Sequence, residues 1–350
     1  IRNSSLLLSL FTVLIIGGCT ESATTTSSNE SATDDAPAAE GTETTATDAE
    51  DASTDSADAP VAAESEEADE GVVTFQPGPD AQKQIQEELI LAEPGAVFQF
   101  AEGVFELTDG LSLSVDNVTI RGSGIDKTIL SFKNQEAGAE GLYVTGNHVV
   151  LEDFAVEDTK GNAIKSLKAD NITYRRVRTE WTGGPDEKNG AYGLYPVSSR
   201  NVLVEGCVAI GASDAGIYVG QSTNVIVRGS RAEYNVAGIE IENCQHAEVY
   251  DCVATGNASG ILVFDLPDLP QKNGHDVRVY HNRIFDNNTR NFAPRGNIVG
   301  DVSPGTGVSI MATHNVEVFE NDIRNHKTVN MIIAAYEATG RKVKDPDYYQ

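Results

Sequence analysis

A repeated position in the sequence carries side chains that could hold a sugar chain. The position lies two residues after the glycine or alanine that begins each repeat, and apolar residues flank it. Its side chains are those of Tyr143, Lys165, Tyr195, Tyr218, Glu240, Leu262 and Ser309. Aromatic rings stack on sugar faces, and charged groups bind hydroxyls or carboxylates. The sequence therefore predicts a polysaccharide-binding face, and its alternative is ordinary tyrosine packing on a solvated sheet. The predicted binding residues are Tyr143, Trp181, Tyr195, Tyr218 and Glu240.

Acidic residues in two long insertions have the ligand chemistry of a calcium site. Asp186 and Glu187 lie in one insertion, and Asp265 and Asp268 lie in the other. Calcium prefers several oxygen ligands, many of them carboxylates. These four residues are therefore candidate Ca²⁺ ligands, and the alternative is that they are solvated surface acids.

The repeats predict the fold that positions these residues. Gly193, Gly216, Gly238 and Gly260 are separated by 23, 22 and 22 residues. Within each repeat apolar residues alternate in short runs, which predicts short β-strands joined by turns. A unit of this length cannot bury a face alone, so the units must stack. The predicted fold is all-β, a right-handed single-stranded parallel β-helix with coils of about 22 residues, in which each strand pairs with its counterpart one coil away.

In its Gly-Ile-x-Val/Ile and Asn-Val-x-Val repeats the chain resembles the pectin-lyase-like family of right-handed parallel β-helix repeat proteins. The resemblance spans residues 72 to 345. The phrases GILVFDLPDLP and NFAPRGNIVGDVSPGTGV also look like those of a group of bacterial parallel β-helix lipoproteins with no assigned activity. Such a likeness implies a fold and brings no reaction with it.

The same resemblance implies an alternative function. Pectin-lyase-like enzymes remove the proton α to the carboxylate of a uronate, which needs a base and a group that neutralises the carboxylate. A uronate polysaccharide lyase or C5-epimerase is thus implied, with Asp265, His275 and Lys165 as candidate catalytic residues. The chain departs from the family in lacking the Asp-Pro-His-Asp of alginate epimerases and the Gly-His-Gly of polygalacturonases. No carboxylate pair for hydrolysis is identifiable from the sequence.

The first 19 residues have the proportions of a secretory signal. Arg2 is followed by an apolar run that is too short for a comfortable membrane span and ends at Cys19. The sequence Ile16-Gly17-Gly18-Cys19 looks like a bacterial lipobox, which implies cleavage before Cys19 and a diacylglycerol on its sulfur. Thr20 stands where an aspartate would signal inner-membrane retention, so we expect an outer-membrane lipoprotein in the cell envelope.

Residues 20–71 are expected to be a disordered acidic tether. Residues 20–70 contain 16 acidic residues, no Lys or Arg and almost no large apolar residues, so this segment cannot bury enough surface to fold. The remaining 280 residues carry 37 acids against 24 bases, a net charge of −13. That charge argues against nucleic acid or anionic headgroups as partners. We expect a monomer that touches the membrane only through its lipid.

The segment 72–350 is predicted to be the β-helix domain. Residues 80–92 have helical spacing, with Ile85 and Leu89 on one face, and predict a helix that caps the first coil. Two intervals between leading residues are long, from Ala163 to Gly193 and from Gly260 to Gly307. Function is expected in such insertions, because coil residues are committed to stacking. We expect further coils beyond residue 350, so the domain is interpreted as C-terminally truncated.

A polar residue also precedes the second strand of most coils. It is Asn at 117, 171, 201, 224 and 315, His at 246 and Asp at 276. An internal asparagine ladder explains such a column. The ladder interpretation argues against His246 and Asp276 as catalytic residues.

Three functions remain open on the sequence. The first is an envelope-anchored protein that binds polysaccharide along its outer face. The second is the uronate lyase or epimerase, with Ca²⁺ as the only candidate cofactor. The third is a non-catalytic envelope scaffold.

Overall fold

The glycine-led repeats fold into stacked coils of short parallel strands. The computed structural model describes residues 71–346 and residue 348. The predicted signal peptide at residues 1–19, the lipid site Cys19 and all of the predicted tether except Gly71 lie outside the described residues.

The first part of the domain carries one helix and ten strands. They are β1 (Val72–Phe75), α1 (Ala81–Leu91), β2 (Val97–Phe100), β3 (Gly103–Glu106), β4 (Asp109–Leu113), β5 (Thr119–Arg121), β6 (Thr128–Ser131), β7 (Ala137–Val144), β8 (Val149–Glu157), β9 (Asn162–Leu167) and β10 (Asp170–Glu180).

The repeats that follow are more regular. Their strands are β11 (Tyr192–Val197), β12 (Arg200–Glu205), β13 (Val208–Ile210), β14 (Ala215–Gly220), β15 (Thr223–Arg228), β16 (Arg231–Glu233), β17 (Ala237–Glu242), β18 (Gln245–Tyr250), β19 (Val253–Thr255), β20 (Ser259–Phe264), β21 (His275–Tyr280), β22 (Arg283–Phe285), β23 (Thr306–Met311), β24 (His314–Phe319), β25 (Asp322–Arg324) and β26 (Val329–Ala334). Two short 3₁₀ helices lie at Ile298–Asp301 and Tyr336–Thr339.

Within the described residues the strands form two parallel sheets, which confirms the predicted right-handed parallel β-helix. One sheet has nine strands, in the order β4, β7, β9, β11, β14, β17, β20, β23 and β26; the other has seventeen. Equivalent residues of successive coils pair directly, so that Ile217 pairs with Ile239 and Ile239 with Ile261. Because the register is kept, each position of the repeat becomes a column that runs along the solenoid.

The core is filled by the inward columns of the strands. Ile217, Ile239 and Ile261 are fully buried, as are Val227 and Val249 on the other sheet. Strand residues alternate between the two faces, so the residues between these apolar ones face outward.

Buried asparagines form a ladder inside the solenoid, at a different column from the predicted one. The side chain of Asn257 donates to the Ala232 carbonyl at 2.9 Å and to Asn287 Oδ1 at 2.8 Å. Its own Oδ1 accepts the backbone N–H of Asn235 at 2.9 Å. The prediction that Asn201, Asn224 and their equivalents are internal is wrong, because they are exposed residues with positive φ. They lie near the start of a strand, at a left-handed backbone position that suits asparagine.

Helix α1 covers the first edge of the nine-stranded sheet, as the cap prediction requires. Ile85 and Leu89 are buried in the core. Gln82 Oε1 accepts the N–H groups of Thr108 and Asp109 at 3.2 Å each, and α1 also bonds to β4 through Gln86. The hydrogen bonds from Gln82 and Gln86 occupy backbone N–H groups at the β4 edge of the sheet. Without them, this edge would be open to pairing with another strand. No helix among the described residues is long and apolar enough for a membrane span.

The insertions flank the nine-stranded sheet. Residues 181–191 precede β11, residues 265–274 follow β20, and residues 286–305 precede β23. All three therefore begin or end at a strand of this one sheet. This placement makes its outer face the part of the solenoid that inserted residues can shape.

The asparagine ladder yields a stability prediction. Asn257→Ala should lower the free energy of unfolding by roughly 2–4 kcal/mol, because it leaves buried backbone groups without partners. Asn134→Ala, at an exposed turn position before β7, is the matched control and should change it by about 0.5 kcal/mol or less. Urea unfolding followed by circular dichroism measures both values. Equal values for the two variants would contradict a stabilising ladder.

Candidate active site

The predicted polar column lies on the outer face of the nine-stranded sheet. Tyr143 pairs with Lys165, and Lys165 pairs with Tyr195. Further along, Tyr218 pairs with Glu240. The fold thus brings these five predicted binding or catalytic residues onto one continuous surface.

This outer face has an open half and a covered half. Tyr143, Lys165 and Tyr195 are only half-buried, whereas Leu262 and Phe264 are fully buried. Apolar side chains from residues 286–305 and from the last described residues pack on the covered half; they are Phe292, Val299, Tyr336 and Tyr348. The insertion therefore removes water from part of a surface that a bare solenoid would leave exposed.

Acidic and phenolic side chains meet where the two halves join. We refer to them as the acid–tyrosine cluster, which consists of Asp214, Glu240, Glu242, Tyr192, Tyr195 and Tyr218. The Tyr192 ring centroid is 4.4 Å from that of Tyr195 and 4.6 Å from that of Tyr218. Tyr195 and Tyr218 meet edge to face at 5.0 Å. Successive outward positions on β11, β14 and β17 supply most of the cluster.

A short hydrogen bond joins Tyr218 to Glu242. The Tyr218 hydroxyl donates to Glu242 Oε1 at 2.7 Å. Its ring lies over Gly220, where a Cβ atom would stand 2.2 Å from the Tyr218 hydroxyl oxygen. Glycine at this position is therefore required for the tyrosine to reach the acid.

Asp214 enters the cluster from the turn before β14. Its Oδ2 accepts the Asn297 amide at 3.1 Å and the Tyr192 hydroxyl at 3.4 Å. Asn297 belongs to the insertion 286–305, so the covering segment itself contacts the site. The position of Asp214 thus depends on the insertion as well as on the coil.

Burial raises the pKa values of all three carboxyl groups, and neighbouring negative charges raise them further. Burial, with the charge of Glu242 adding to it, raises the pKa of Asp214 to about 7. Burial also raises the pKa of Glu240 well above its usual range, and the charges of Asp214 and Glu242 reinforce this. The pKa of Glu242 is raised by burial against the opposing hydrogen bond from Tyr218. Such a cluster retains protons near neutral pH, which acid–base chemistry requires.

The tyrosines remain neutral donors in this environment. Burial raises the pKa of Tyr218 well above its usual value, and the nearby Glu242 charge raises it further. Burial and the charge of Asp214 raise the pKa of Tyr192 in the same way. Each hydroxyl can therefore donate a hydrogen bond to a carboxylate or to a bound ligand.

A cation lies at the open end of the face. Lys165 Nζ is 3.5 Å from Glu140 Oε1. It also lies 5.1 Å from the Tyr195 ring centroid and 5.9 Å from that of Tyr143. The open half therefore offers one positive charge between two aromatic rings.

The prediction that Trp181 offers an exposed binding platform is wrong. Its side chain is only 4% exposed, and its Nε1–H donates to the Thr159 carbonyl at 2.7 Å. The ring belongs to the main core. Trp181 therefore anchors the insertion 181–191 to the solenoid and does not face a ligand.

Asp265, His275 and Lys165 do not form one catalytic group. Lys165 lies on β9, and Asp265 directly follows β20. These two strands are four strands apart in the nine-stranded sheet, which is about 19 Å at the usual strand spacing. His275 begins β21 of the other sheet. Asp265 is buried, and its Oδ1 accepts the Gly274 N–H at 2.8 Å, so it closes the turn at this insertion.

The four predicted calcium ligands do not converge either. Among the described residues, Asp186, Glu187, Asp265 and Asp268 do not come together as a set of three or more ligand atoms. Asp186 is exposed and its Oδ1 accepts the Lys188 N–H at 2.9 Å. The calcium site proposed from the sequence is therefore not built from these residues.

Asp214, Glu242 and Tyr192 are residues of the cluster that the sequence did not predict. Strand alternation could have predicted Glu242, because residues two apart on a strand share a face and Glu240 was already assigned to this face. Tyr192 and Asp214 have no such signal, since they lie at or before the start of their strands. Their role depends on which segment covers them.

Comparisons with known proteins identify the family. The model of the family described as "Right handed beta helix region" matches residues 103–269 and 187–341. The chain belongs to the right-handed β-helix family. A search of curated proteins found no match.

Solved structures with the same fold include polysaccharide enzymes. The A-modules of two mannuronan C-5 epimerases from Azotobacter vinelandii are 17% and 16% identical to the chain, with TM-scores of 0.51 and 0.50. Each alignment covers 77% of this chain, and 78% and 81% of those modules. An alginate lyase from Paenibacillus sp. str. FPU-7 is 16% identical with a TM-score of 0.49, covering 75% of this chain and 97% of the lyase. At these identities the likeness concerns the fold.

The raised pKa of Asp214 predicts a pH-dependent stability. A carboxyl group whose pKa is higher in the folded protein destabilises the fold as pH rises from its unfolded value, 3.8, to about 7. Asp214→Asn removes this cost, so the stability of the variant relative to the native protein should rise between pH 4 and pH 7, by at most about 4 kcal/mol. Urea unfolding at a series of pH values measures the difference.

Asp322→Asn is the control for this experiment, because Asp322 is exposed on β25 of the other sheet. Its stability should follow that of the native protein at every pH. A constant difference between Asp214→Asn and the native protein over this range would contradict the assignment.

Proposed function

We propose that the protein acts on a polysaccharide that binds along the outer face of the nine-stranded sheet. The observation that carries the proposal is a pair of carboxyl groups next to an open face lined by tyrosines: Asp214 is buried and accepts the Tyr192 hydroxyl, and Glu242 accepts the Tyr218 hydroxyl. Carboxyl groups whose pKa values are raised by burial beside an open face are typical of an acid–base site.

The open half of the face has the composition of a sugar-binding surface. Tyr143 and Tyr195 flank Lys165, and all three are partly accessible. A glycan that runs along the solenoid axis crosses these residues before it reaches the acid–tyrosine cluster. Rings would contact sugar faces, and Lys165 would contact hydroxyls or carboxylates.

The carboxyl groups fit the roles required for cleavage of a glycosidic bond. Hydrolysis needs one protonated acid for the leaving oxygen and one carboxylate that activates water or attacks the sugar. Asp214, with a pKa of about 7, holds a proton that it can donate near neutral pH. The hydrogen bond from Tyr218 favours the ionised form of Glu242. We therefore assign Asp214 as the general acid and Glu242 as the base or nucleophile.

Glu240 has a different role in the proposed site. It is fully buried and its Oε2 has no hydrogen-bond partner among the described residues. A buried polar atom without a partner is costly unless a ligand satisfies it. Binding of a sugar that displaces the covering side chains would let one of its hydroxyls donate to Oε2.

Epimerisation or elimination at a uronate is the second candidate reaction. Lys165 next to Tyr195 offers a cation for the uronate carboxylate and a phenol for proton transfer, the groups that chemistry at the α carbon requires. The solved epimerases with this fold act on mannuronan, as their names state. This activity is therefore a necessary arm of the test.

The test is a screen of neutral and uronate-containing polysaccharides with the full chain. Hydrolysis releases reducing ends, elimination yields unsaturated uronates, and epimerisation exchanges the C-5 proton for deuterium. For hydrolysis, Asp214→Asn and Glu242→Gln should each lower kcat by about 10²–10⁴-fold. The rate should fall as pH rises through the pKa of Asp214, because the acid loses its proton.

Two outcomes would redirect or end the proposal. Binding without any product, weakened by Tyr195→Ala, would leave a polysaccharide-binding protein. Asp322→Asn should retain full activity, which controls for the loss of a carboxylate elsewhere. If no polysaccharide binds or reacts, the function as proposed is wrong.

We also propose that the chain is a lipoprotein of the cell envelope. Its support is the sequence Ile16-Gly17-Gly18-Cys19 after an apolar run. Thr20 at the next position supports transfer to the outer membrane. A lipid at Cys19 with a long acidic segment behind it would hold the β-helix near envelope polysaccharides.

Lipid attachment is tested by labelling cells with radioactive palmitate. Cys19→Ser should abolish the label, since the thiol is the acceptor. Cys252→Ser is the matched control: Ser230 occupies the equivalent position one coil earlier, so the substitution fits the fold and should keep the label. Thr20→Asp should move the protein to the inner-membrane fraction. A label that persists in Cys19→Ser would contradict the assignment.

A further inference from the structure

An exposed column of left-handed residues runs along the other sheet. Each residue lies at the same position of its coil, within two residues of the start of a strand, with φ between 49° and 59°. The column consists of Asn117, His148, Asn171, Asn201, Asn224, His246, Asp276 and Asn315. Asparagine fills most of the column, and His148, His246 and Asp276 are the departures from it; all three residue types adopt this conformation more readily than other residues with a Cβ.

Two of these departures are neighbours in successive coils. His246 Nδ1 lies 3.3 Å from Asp276 Oδ2. His275, the residue before Asp276, places its Nε2 3.7 Å from the same oxygen. One ligand atom from each of the three residues lies within 4.8 Å of the others, and this is the one such group of His, Cys, Asp and Glu among the described residues. The histidine rings meet edge to face with centroids 5.3 Å apart.

The hydrogen bonds around the group point lone pairs towards its centre. His275 Nδ1 lies 2.6 Å from the Asn273 carbonyl. A carbonyl only accepts, so Nδ1 carries the proton and Nε2 of the neutral ring presents a lone pair to Asp276 Oδ2. Two acceptors that face each other repel unless a proton or a metal cation lies between them.

The other carboxylate oxygen already has a partner. Asn315 Nδ2 donates to Asp276 Oδ1 at 3.1 Å, which leaves Oδ2 for the two histidines. The Asn273 carbonyl thus orients His275, and the Asn315 amide orients Asp276. Metal ligands in proteins are usually held by hydrogen bonds of this kind.

We propose that His246, His275 and Asp276 form a binding site for a divalent transition metal of the zinc type. Two imidazole nitrogens and one carboxylate oxygen are the ligand types that zinc accepts, at about 2.0–2.2 Å from the metal. Ligand atoms at such distances in a tetrahedron are roughly 3.4 Å apart. The two distances at Asp276 Oδ2, 3.3 and 3.7 Å, are close to that value.

The site is separate from the acid–tyrosine cluster and goes beyond the proposed function. His246 and Asp276 also line a groove of about 620 Å³ on the outer face of the seventeen-stranded sheet, together with Arg228, Glu248 and Arg278. With three protein ligands, a tetrahedral metal keeps a fourth position for water or for a ligand atom. A bound metal would thus present an open coordination position at this groove.

The test is titration of the full chain with Zn²⁺ alone, followed by calorimetry and by competition with a chromophoric chelator. The native protein should bind zinc and gain thermal stability with increasing zinc concentration. His246→Asn and Asp276→Asn should each weaken binding more than about tenfold. Both substitutions restore the residue that the column uses elsewhere, so the fold should be retained, as circular dichroism will verify. Co²⁺ should give the intense visible absorption of a tetrahedral site in the native protein only.

His148→Asn is the matched control. His148 occupies the same column, but its neighbours there are Asn117 and Asn171, and Asn171 Nδ2 lies 3.1 Å from His148 Nδ1. Zinc affinity should be unchanged in this variant. The proposal is overturned if the native protein binds no zinc, or if His246→Asn and Asp276→Asn bind it as tightly as His148→Asn does.

Discussion

The hydrogen-bonded register between successive coils is the constraint on which the rest of this structure depends. Parallel pairing brings each residue opposite its equivalent one coil away, as Ile217, Ile239 and Ile261 illustrate. Register in a sheet determines which face each side chain occupies, because a slip of one residue would reverse every orientation. Apolar columns, the asparagine ladder and both candidate sites are all products of this one repeat.

The solenoid leaves two kinds of surface, and they differ in how they hold charge. On the nine-stranded sheet, an insertion covers part of the outer face and buries Asp214 and Glu240. The lost hydration raises the pKa values of these acids and retains protons at neutral pH. On the seventeen-stranded sheet, Arg278 remains exposed and pairs with Glu248 and Glu317. The first surface supports acid–base chemistry because water has been excluded from it.

The insertions account for most of the differences between a bare solenoid and this protein. Residues 181–191 are anchored through Trp181, and residues 265–274 are closed by Asp265. Residues 286–305 supply Asn297 to Asp214. Gln271 Nε2 also donates to the Ser222 carbonyl, so side-chain hydrogen bonds link every insertion to a coil. A regular repeat can therefore carry a specific site without altering its own hydrogen-bond pattern.

The sequence by itself determined the solenoid, the cap helix and the outward column of Tyr195 and Tyr218, because glycine spacing and strand alternation are local patterns. It did not reveal that Asp214 lies close enough to Glu242 for their charges to interact or that His246 meets His275, since 28 and 29 residues separate these pairs. Such contacts depend on coil register and on the length of each turn. Burial was also decided by the tertiary structure. Trp181 is exposed or buried according to how its insertion folds back on Thr159, and no local pattern encodes that packing.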